Sequence, residues 1–290
     1  MKSRLAASFA ALALALAACS SAATPITSVA TPTTAPATVA PATAAPATAT
    51  PTAAPASLTI YGASSLKSVL AQVKTTYEAA DPGTTLTIST DSSTALETKI
   101  EQGAPVDVFL SADTANPQKL VDKGLAAGNP TKFAGNLLTI IGPAGNPAGI
   151  QTPADLAKSG VKVIAAGDAV PITKYANQLV ANLAKQPGYP ADFVSKYIAN
   201  IVSKQENVAA VVTQIELGEG DAGIVYVTDA KTSTKVATIA VPDAANVPAT
   251  YAGVVVKAST NPVAAQAFLA WFAGPAGQAI LATFGFLPGS

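Results

Sequence analysis

The 290-residue, 28.7-kDa chain is long enough for one large or two modest domains, and 49% hydrophobic residues suffice for a sizeable core. Seventeen Lys and Arg balance seventeen Asp and Glu, and charged residues make up only 12% of the chain. This argues against a nucleic-acid binder, which needs a surplus of clustered cations to track phosphates. With no histidine and a single cysteine, Cys19, imidazole triads, His-ligated metals, thiolate zinc clusters and internal disulfides are excluded. Hydroxyls, backbone amides, carboxylates and lysines remain to do the chemistry.

Met1-Lys2-Ser3-Arg4 precedes an apolar run from Leu5 to Ala18 interrupted only by Ser8. Such a helix reaches about 21 Å, short of the roughly 30 Å of a bilayer's hydrocarbon core, so residues 1–18 read as an export signal and not a stable span. The ending Leu16-Ala17-Ala18-Cys19 resembles the bacterial lipobox, which implies cleavage before Cys19, lipidation of that cysteine and anchoring on the outer face of the cell membrane. From Ser20 to Ala56 the chain turns to Ala, Thr and Pro, with seven prolines and no charge. Proline removes donors and favours extended polyproline II, so residues 19–56 read as a lipidated cysteine and a tether with a reach on the order of 110 Å.

The folded part is expected from Ser57. Leu58–Tyr61 reads as a strand, and Gly62-Ala63-Ser64-Ser65 turns into a helix with Leu66, Val69, Leu70, Val73 and Tyr77 on one face. Thr85–Thr90 is a strand, Asp91-Ser92-Ser93-Thr94 a cap, Ala95–Gln102 a helix, Val106–Leu110 a strand, Pro117–Lys123 a helix and Asn136–Ile141 a strand. Val161–Ala165 is a strand, followed by the turn Gly167–Pro171 and a helix through Lys185. Asn207 opens a helix with Val208, Val211, Val212 and Ile215 on one face; Gly223–Tyr226, Thr238–Val241 and Tyr251–Lys257 are strands, and Pro262–Phe284 holds the last helices. Strands alternating with helices predict parallel α/β sheets in two lobes. Near Ser65, Ser93, Ile172 and Val208 a strand feeds a helix start, whose free N–H groups attract anions. Each such serine also has an ordinary reading as a helix cap.

Six segments together resemble the periplasmic molybdate-binding proteins of ABC transporters: Y-G-A-S-S-L after the first strand, S-S-T-A-L-E-T-K-I-E-Q-G-A-P-V-D-V-F-L-S-A-D (92–113), A-G-D-A-V-P-I-T-K-Y-A (166–176), E-N-V-A-A-V-V (206–212), G-I-V-Y-V-T-D-A (223–230) and G-P-A-G-Q-A-I-L-A-T-F-G-F (274–286). The resemblance implies a two-lobed type II periplasmic-binding-protein fold of the α/β class, each lobe a mainly parallel sheet flanked by helices, with the ligand in the cleft. It implies residues 57–136 plus 251–290 in one lobe and 137–250 in the other. As ligand groups it implies the hydroxyl and amide of Ser65, with Ser64 the neighbouring alternative, similar groups of Ser93, the backbone N–H of Ile172 and of Val208, and the phenol of Tyr226. Position 172 departs from the family, where many members carry a small residue followed by glycine. The implied ligand is molybdate or tungstate, bound as an oxyanion with no direct metal ligand and no cofactor. The implied partners are the permease subunits of an ABC transporter, and the receptor is expected to be a monomer and not an enzyme.

Other readings stand beside this one. Ser64-Ser65-Leu66-Lys67 contains S-x-x-K, which resembles the nucleophile motif of penicillin-binding proteins and serine β-lactamases, although S-D-N is absent and Lys231-Thr232-Ser233 lacks the glycine of K-T-G. A receptor for sulfate or another small solute is a further alternative. Sugars and amino acids call for an aromatic platform or an Arg–Asp pair, and Arg4 is the only arginine.

Overall fold

The computed structural model describes residues 55–289; the expected export signal, Cys19 and the tether through residue 54 lie outside the described residues, and Ala56, expected as the tether's last residue, already opens the first strand by pairing with Thr84. Strand β1 (Ala56–Ala63) alternates fully buried Leu58 and Ile60 with partly exposed Thr59 and Tyr61. A single 3-10 turn, Ser64–Leu66, leads into α1 (Lys67–Ala80), and the expected stripe of Leu66, Val69, Leu70, Val73 and Tyr77 is buried. A Cβ at Gly62 would lie 2.4 Å from Leu70 Cδ1, so the glycine lets α1 sit close to the strand.

Then come β2 (Thr84–Asp91), α2 (Ser93–Glu101), β3 (Val108–Ser111), α3 (Ala115–Asp122) and β4 (Thr131–Asn136). A second run contains β5 (Leu138–Pro143), β6 (Val163–Ala166), α4 (Pro171–Leu183), α5 (Phe193–Ala199), β7 (Ile201–Gln205), α6 (Val208–Glu216), β8 (Ala222–Tyr226), α7 (Val227–Lys231) and β9 (Val236–Ile239). They are followed by β10 (Ala249–Val255), α8 (Pro262–Ala273), α9 (Pro275–Phe284) and β11 (Leu287–Pro288). The strands form two sheets, ordered β11-β4-β10-β3-β1-β2 and β7-β6-β8-β5-β9. The chain therefore passes from one sheet to the other between β4 and β5 and returns between β9 and β10.

Two expectations are corrected. The single strand expected at Asn136–Ile141 is the end of β4 and the start of β5, which belong to different sheets and meet at Leu137. Periodicity carries no mark of this switch because both halves are β-forming. The sign is local: Asn136 Oδ1 accepts the Leu137 N–H at 3.0 Å and fixes the chain where it leaves the first sheet. The sheets are also mixed and not mainly parallel. Pairs β1–β2, β1–β3, β6–β7 and β6–β8 are parallel, but β5 and β10 run antiparallel to both of their neighbours. These are the first strands laid down after each passage between sheets, so no right-handed crossover helix dictates their direction.

Several elements were not expected. Helix α5 has only seven residues and buries just Phe193 and Tyr197, while edge strand β7 has no fully buried position, so neither shows a clean period. Leu58 and Ile60 from the first sheet and Ile140, Ile224 and Val225 from the second belong to one continuous buried cluster.

Gly223 lets α6 approach β8, since a Cβ there would lie 2.9 Å from Val211 Cγ1 and 3.0 Å from the Ile164 carbonyl oxygen. Gly223→Ala is expected to cost about 1–3 kcal/mol through overpacking, read as a lower denaturant midpoint at unchanged slope. An unshifted midpoint would show that the backbone has room there.

Candidate functional site

The site is assembled from segment starts and ends. Ser65 lies in the 3-10 turn before α1, Ser93 is the first residue of α2, Ile172 the second residue of α4, Val208 the first of α6, and Tyr226 the last of β8. First-turn N–H groups have no acceptor within their own helix. All five residues line one small cavity, together with Ser64, Ser92, Ala63, Ala112, Val170 and Pro171. Ser65 and Ser93 come from elements of the first sheet, and Ile172, Val208 and Tyr226 from the second, so the cavity exists only where the two meet. Its volume is about 10 Å³ for the centre of a water-sized sphere, and no charged side chain lines it. A larger cavity of about 260 Å³ lies behind Ile172, among residues that include Ala165, Asp168, Tyr197 and Ile201. It lacks the converging helix starts, so the smaller cavity is the candidate site.

The donors are held with defined polarity. Ser93 Oγ accepts the Ala112 N–H at 3.0 Å, which occupies a lone pair and leaves its own proton to be donated. Ser65 Oγ lies 3.0 Å from the Tyr251 hydroxyl. Tyr226 is 1% exposed, and its hydroxyl has no hydrogen-bond partner among the described residues; the only other such buried side-chain atom there is Glu97 Oε1. An unsatisfied buried hydroxyl costs about 1–3 kcal/mol, so the Tyr226 proton calls for an acceptor in the cavity. Burial pushes the phenol well above its ordinary pKa, and neighbouring Tyr251 and Tyr175 add to this, so it stays a donor. Ile172 and Val208 are 2% and 3% exposed and also belong to the apolar core; packing and lining coincide at both.

Contacts across the cleft hold the two halves together. Thr94 Oγ1 donates to the Ala169 carbonyl at 2.7 Å, and Asn207 Nδ2 donates to Asp91 Oδ1 at 3.3 Å. Asn207 also caps α6, accepting the Ala210 N–H at 3.0 Å. Burial alone would raise the Asp91 carboxyl, but hydrogen bonds from Lys99, the Ser92 N–H and Asn207 outweigh it and hold the pKa low.

The S-x-x-K reading has no geometric support, because Lys67 is exposed while Ser64 and Ser65 are buried, and no hydrogen bond joins the lysine to either among the described residues. Among those residues, no group of three or more His, Cys, Asp or Glu is placed to hold a metal ion. Sequence reasoning missed Tyr251 and Asn136, which stand behind Ser65, and Asp229, which accepts the Tyr226 N–H at 3.2 Å. Tyr251 is 186 positions from Ser65, and nothing in a strand pattern marks such a contact.

The fold and site define a two-lobed receptor for a small solute. The chain belongs to the bacterial extracellular solute-binding protein family, whose profile it matches over residues 58–287. It is 35% identical over 231 residues to the molybdate-binding protein ModA of Mycobacterium tuberculosis, which covers 79% of this chain and 84% of that protein. The periplasmic molybdate-binding protein of Azotobacter vinelandii superposes with a TM-score of 0.66 at 23% identity, covering 80% of this chain and all of that one. The sulfate-binding protein SubI of M. tuberculosis superposes with a TM-score of 0.72 at 21% identity, covering 80% of this chain and 87% of that one.

The buried Asp229 carboxyl is pushed up to about 7 by desolvation, which the Tyr226 N–H offsets only in part. Glu97 is likewise raised, first by burial and then by its hydrogen bond with Glu101. A carboxyl raised by folding contributes stability that is full below its unfolded pKa and is lost as pH rises through the folded one. Asp229→Asn is therefore expected to flatten part of the fall in Tm between about pH 4 and about pH 8. A wild-type slope in the variant would contradict this placement of the Asp229 proton.

Proposed function

We propose that this protein captures a fully deprotonated tetrahedral oxyanion, molybdate or tungstate, outside the cell membrane and delivers it to the permease subunits of an ABC transporter. The observation that carries the reading is the convergence of hydroxyl and amide donors from both halves on an uncharged cavity, with the Tyr226 hydroxyl lacking an acceptor among the described residues. The ligand groups are Ser65, Ser93, the N–H groups of Ile172 and Val208, and Tyr226. The lobe boundary expected at 250/251 moves to the end of the segment between β9 and β10, because Ala249 and Thr250 already pair with β4 of the first sheet; lobe closure is the signal the permease reads, as binding shifts the population toward the closed form. The chain works as a monomer tethered through lipidated Cys19, without a cofactor and without catalysing a reaction.

Hydrogen bonds to a charged group contribute roughly 1.5–3 kcal/mol each. Desolvation and ordering offset much of the sum, which leaves about 8–12 kcal/mol, a micromolar to nanomolar Kd. Monohydrogen phosphate is rejected because its proton needs an acceptor, and the cavity lining carries no carboxylate. Sulfate is the second reading, favoured by the fold likeness to SubI and by its equal lack of a proton.

Titration calorimetry on the protein lacking residues 1–19 tests the assignment. Molybdate and tungstate are expected to bind tightly, sulfate weakly and phosphate not at all. Tight sulfate binding with weak molybdate would transfer the assignment to sulfate, and silence for every oxyanion would overturn it. Ser93→Ala and Tyr226→Phe are each expected to weaken molybdate binding by about 1–3 kcal/mol; wild-type affinity in either would remove that residue from the site. In cells, the wild-type protein is expected to incorporate labelled fatty acid and Cys19→Ser to incorporate none; a wild-type protein that takes up no label would refute the anchor.

A further inference from the structure

We infer that Tyr251 is a positioning residue that fixes the Ser65 hydroxyl as a donor toward the cavity, and thereby excludes oxyanions that carry a proton. The inference rests on the oxyanion reading above and adds a residue and a selectivity mechanism to it.

The polarity of the chain of hydrogen bonds can be followed from its far end. Asn136 Oδ1 accepts the Leu137 N–H at 3.0 Å, which fixes the amide so that Nδ2 points the other way. That nitrogen donates to Thr228 Oγ1 at 2.8 Å and to the Tyr251 hydroxyl at 3.4 Å. The Tyr251 oxygen thus receives a proton from Asn136, and its own proton is left for Ser65 Oγ, 3.0 Å away. Ser65 then spends a lone pair on Tyr251, and its hydroxyl proton is free for the cavity it lines. All four side chains are buried, Tyr251 completely. The ring is clamped edge-on by Phe133, Tyr226 and Phe286 at centroid distances of 6.1, 5.6 and 5.6 Å.

Ser93 is arranged the same way by a different group, the Ala112 N–H. Both serine hydroxyls are therefore supplied with a proton from behind. With Tyr251 donating, the Ser65 proton finds no acceptor behind it and is satisfied only in the cavity; without the Tyr251 hydroxyl this bias is gone, and Ser65 can turn a lone pair to the cavity and receive the proton of a monohydrogen oxyanion. Thr228 lies on α7 and Asn136 ends β4, so the relay also spans the passage between the two sheets and is complete only when they are together.

The test compares wild type with Tyr251→Phe, which keeps the ring and removes the hydroxyl, using molybdate by calorimetry and phosphate by competition against it. The expected result is about a tenfold loss of molybdate affinity while phosphate, too weak a competitor to register against the wild type, becomes a measurable competitor, so that the preference between the two narrows. In a Ser65→Ala background the same substitution is expected to change molybdate affinity less than about twofold, because the hydroxyl it acts through is gone. Asn136→Asp, which turns the donor facing Tyr251 into an acceptor, is expected to reproduce the narrowed preference and supplies the test if the phenylalanine variant does not fold. A molybdate loss with phosphate still no competitor, or an undiminished effect in the Ser65→Ala background, would mean that Tyr251 only packs and would overturn the relay. Unchanged binding in Tyr251→Phe would overturn the relay alone, whereas a wild-type protein that binds neither molybdate nor tungstate would overturn the oxyanion reading beneath it.

Discussion

The Tyr226 hydroxyl, buried at the end of β8 and without a protein acceptor among the described residues, is the constraint on which the rest of the site turns. Around it the two sheets aim the 3-10 turn before α1 and the starts of α2, α4 and α6 at one uncharged cavity. A cluster of preorganised donors with nothing to accept from them is costly in a folded protein. The cost is recovered when a small anion with acceptors on every face enters. A dianion bound in this way needs no lysine or arginine beside it, which fits a chain whose single arginine is Arg4.

Because the donors are divided between the two sheets, the proposed function makes binding and closure one event. Neither half alone presents more than part of the acceptor's surroundings, so a ligand that satisfies both sets shifts the balance toward the closed form by its differential affinity. The same division explains the bonds across the cleft, Thr94 to Ala169 and Asn207 to Asp91, which are made by residues next to the ligand groups. The two passages of the chain between sheets are held by asparagines. Asn136 fixes the first, and Asn246 joins the return segment to the outset of β5, its Oδ1 accepting the Leu138 N–H at 3.0 Å and its Nδ2 donating to the Leu138 carbonyl at 2.9 Å.

Much of this was legible in the sequence where local patterning and local function coincide. The stripe from Leu66 to Tyr77 and the cap at Asn207 are periodic or positional signals, and the structure has both. Ser65, Ser93, Ile172, Val208 and Tyr226 were nameable through motif resemblance, and they line one cavity. What could not be read was long-range or direction-dependent. The break at Leu137 is invisible because a strand continuing and a strand changing sheets have the same composition. The antiparallel direction of β5 and β10 depends on how the chain returns, which no window of residues records. Tyr251 lies behind Ser65 through folding alone, and Asp229 owes its raised pKa to burial that its neighbours in sequence do not announce.

The most direct test of the central claim is a crystal structure of the protein with molybdate, with the metal located by its anomalous scattering. The account predicts one molybdenum peak in the cavity between the two sheets, with oxyanion oxygens at hydrogen-bond distance, roughly 2.6–3.2 Å, from the Tyr226 hydroxyl, both serine hydroxyls and the N–H groups of Ile172 and Val208. A peak elsewhere on the molecule, or a cavity in which Tyr226 donates to the protein and not to the anion, would contradict it.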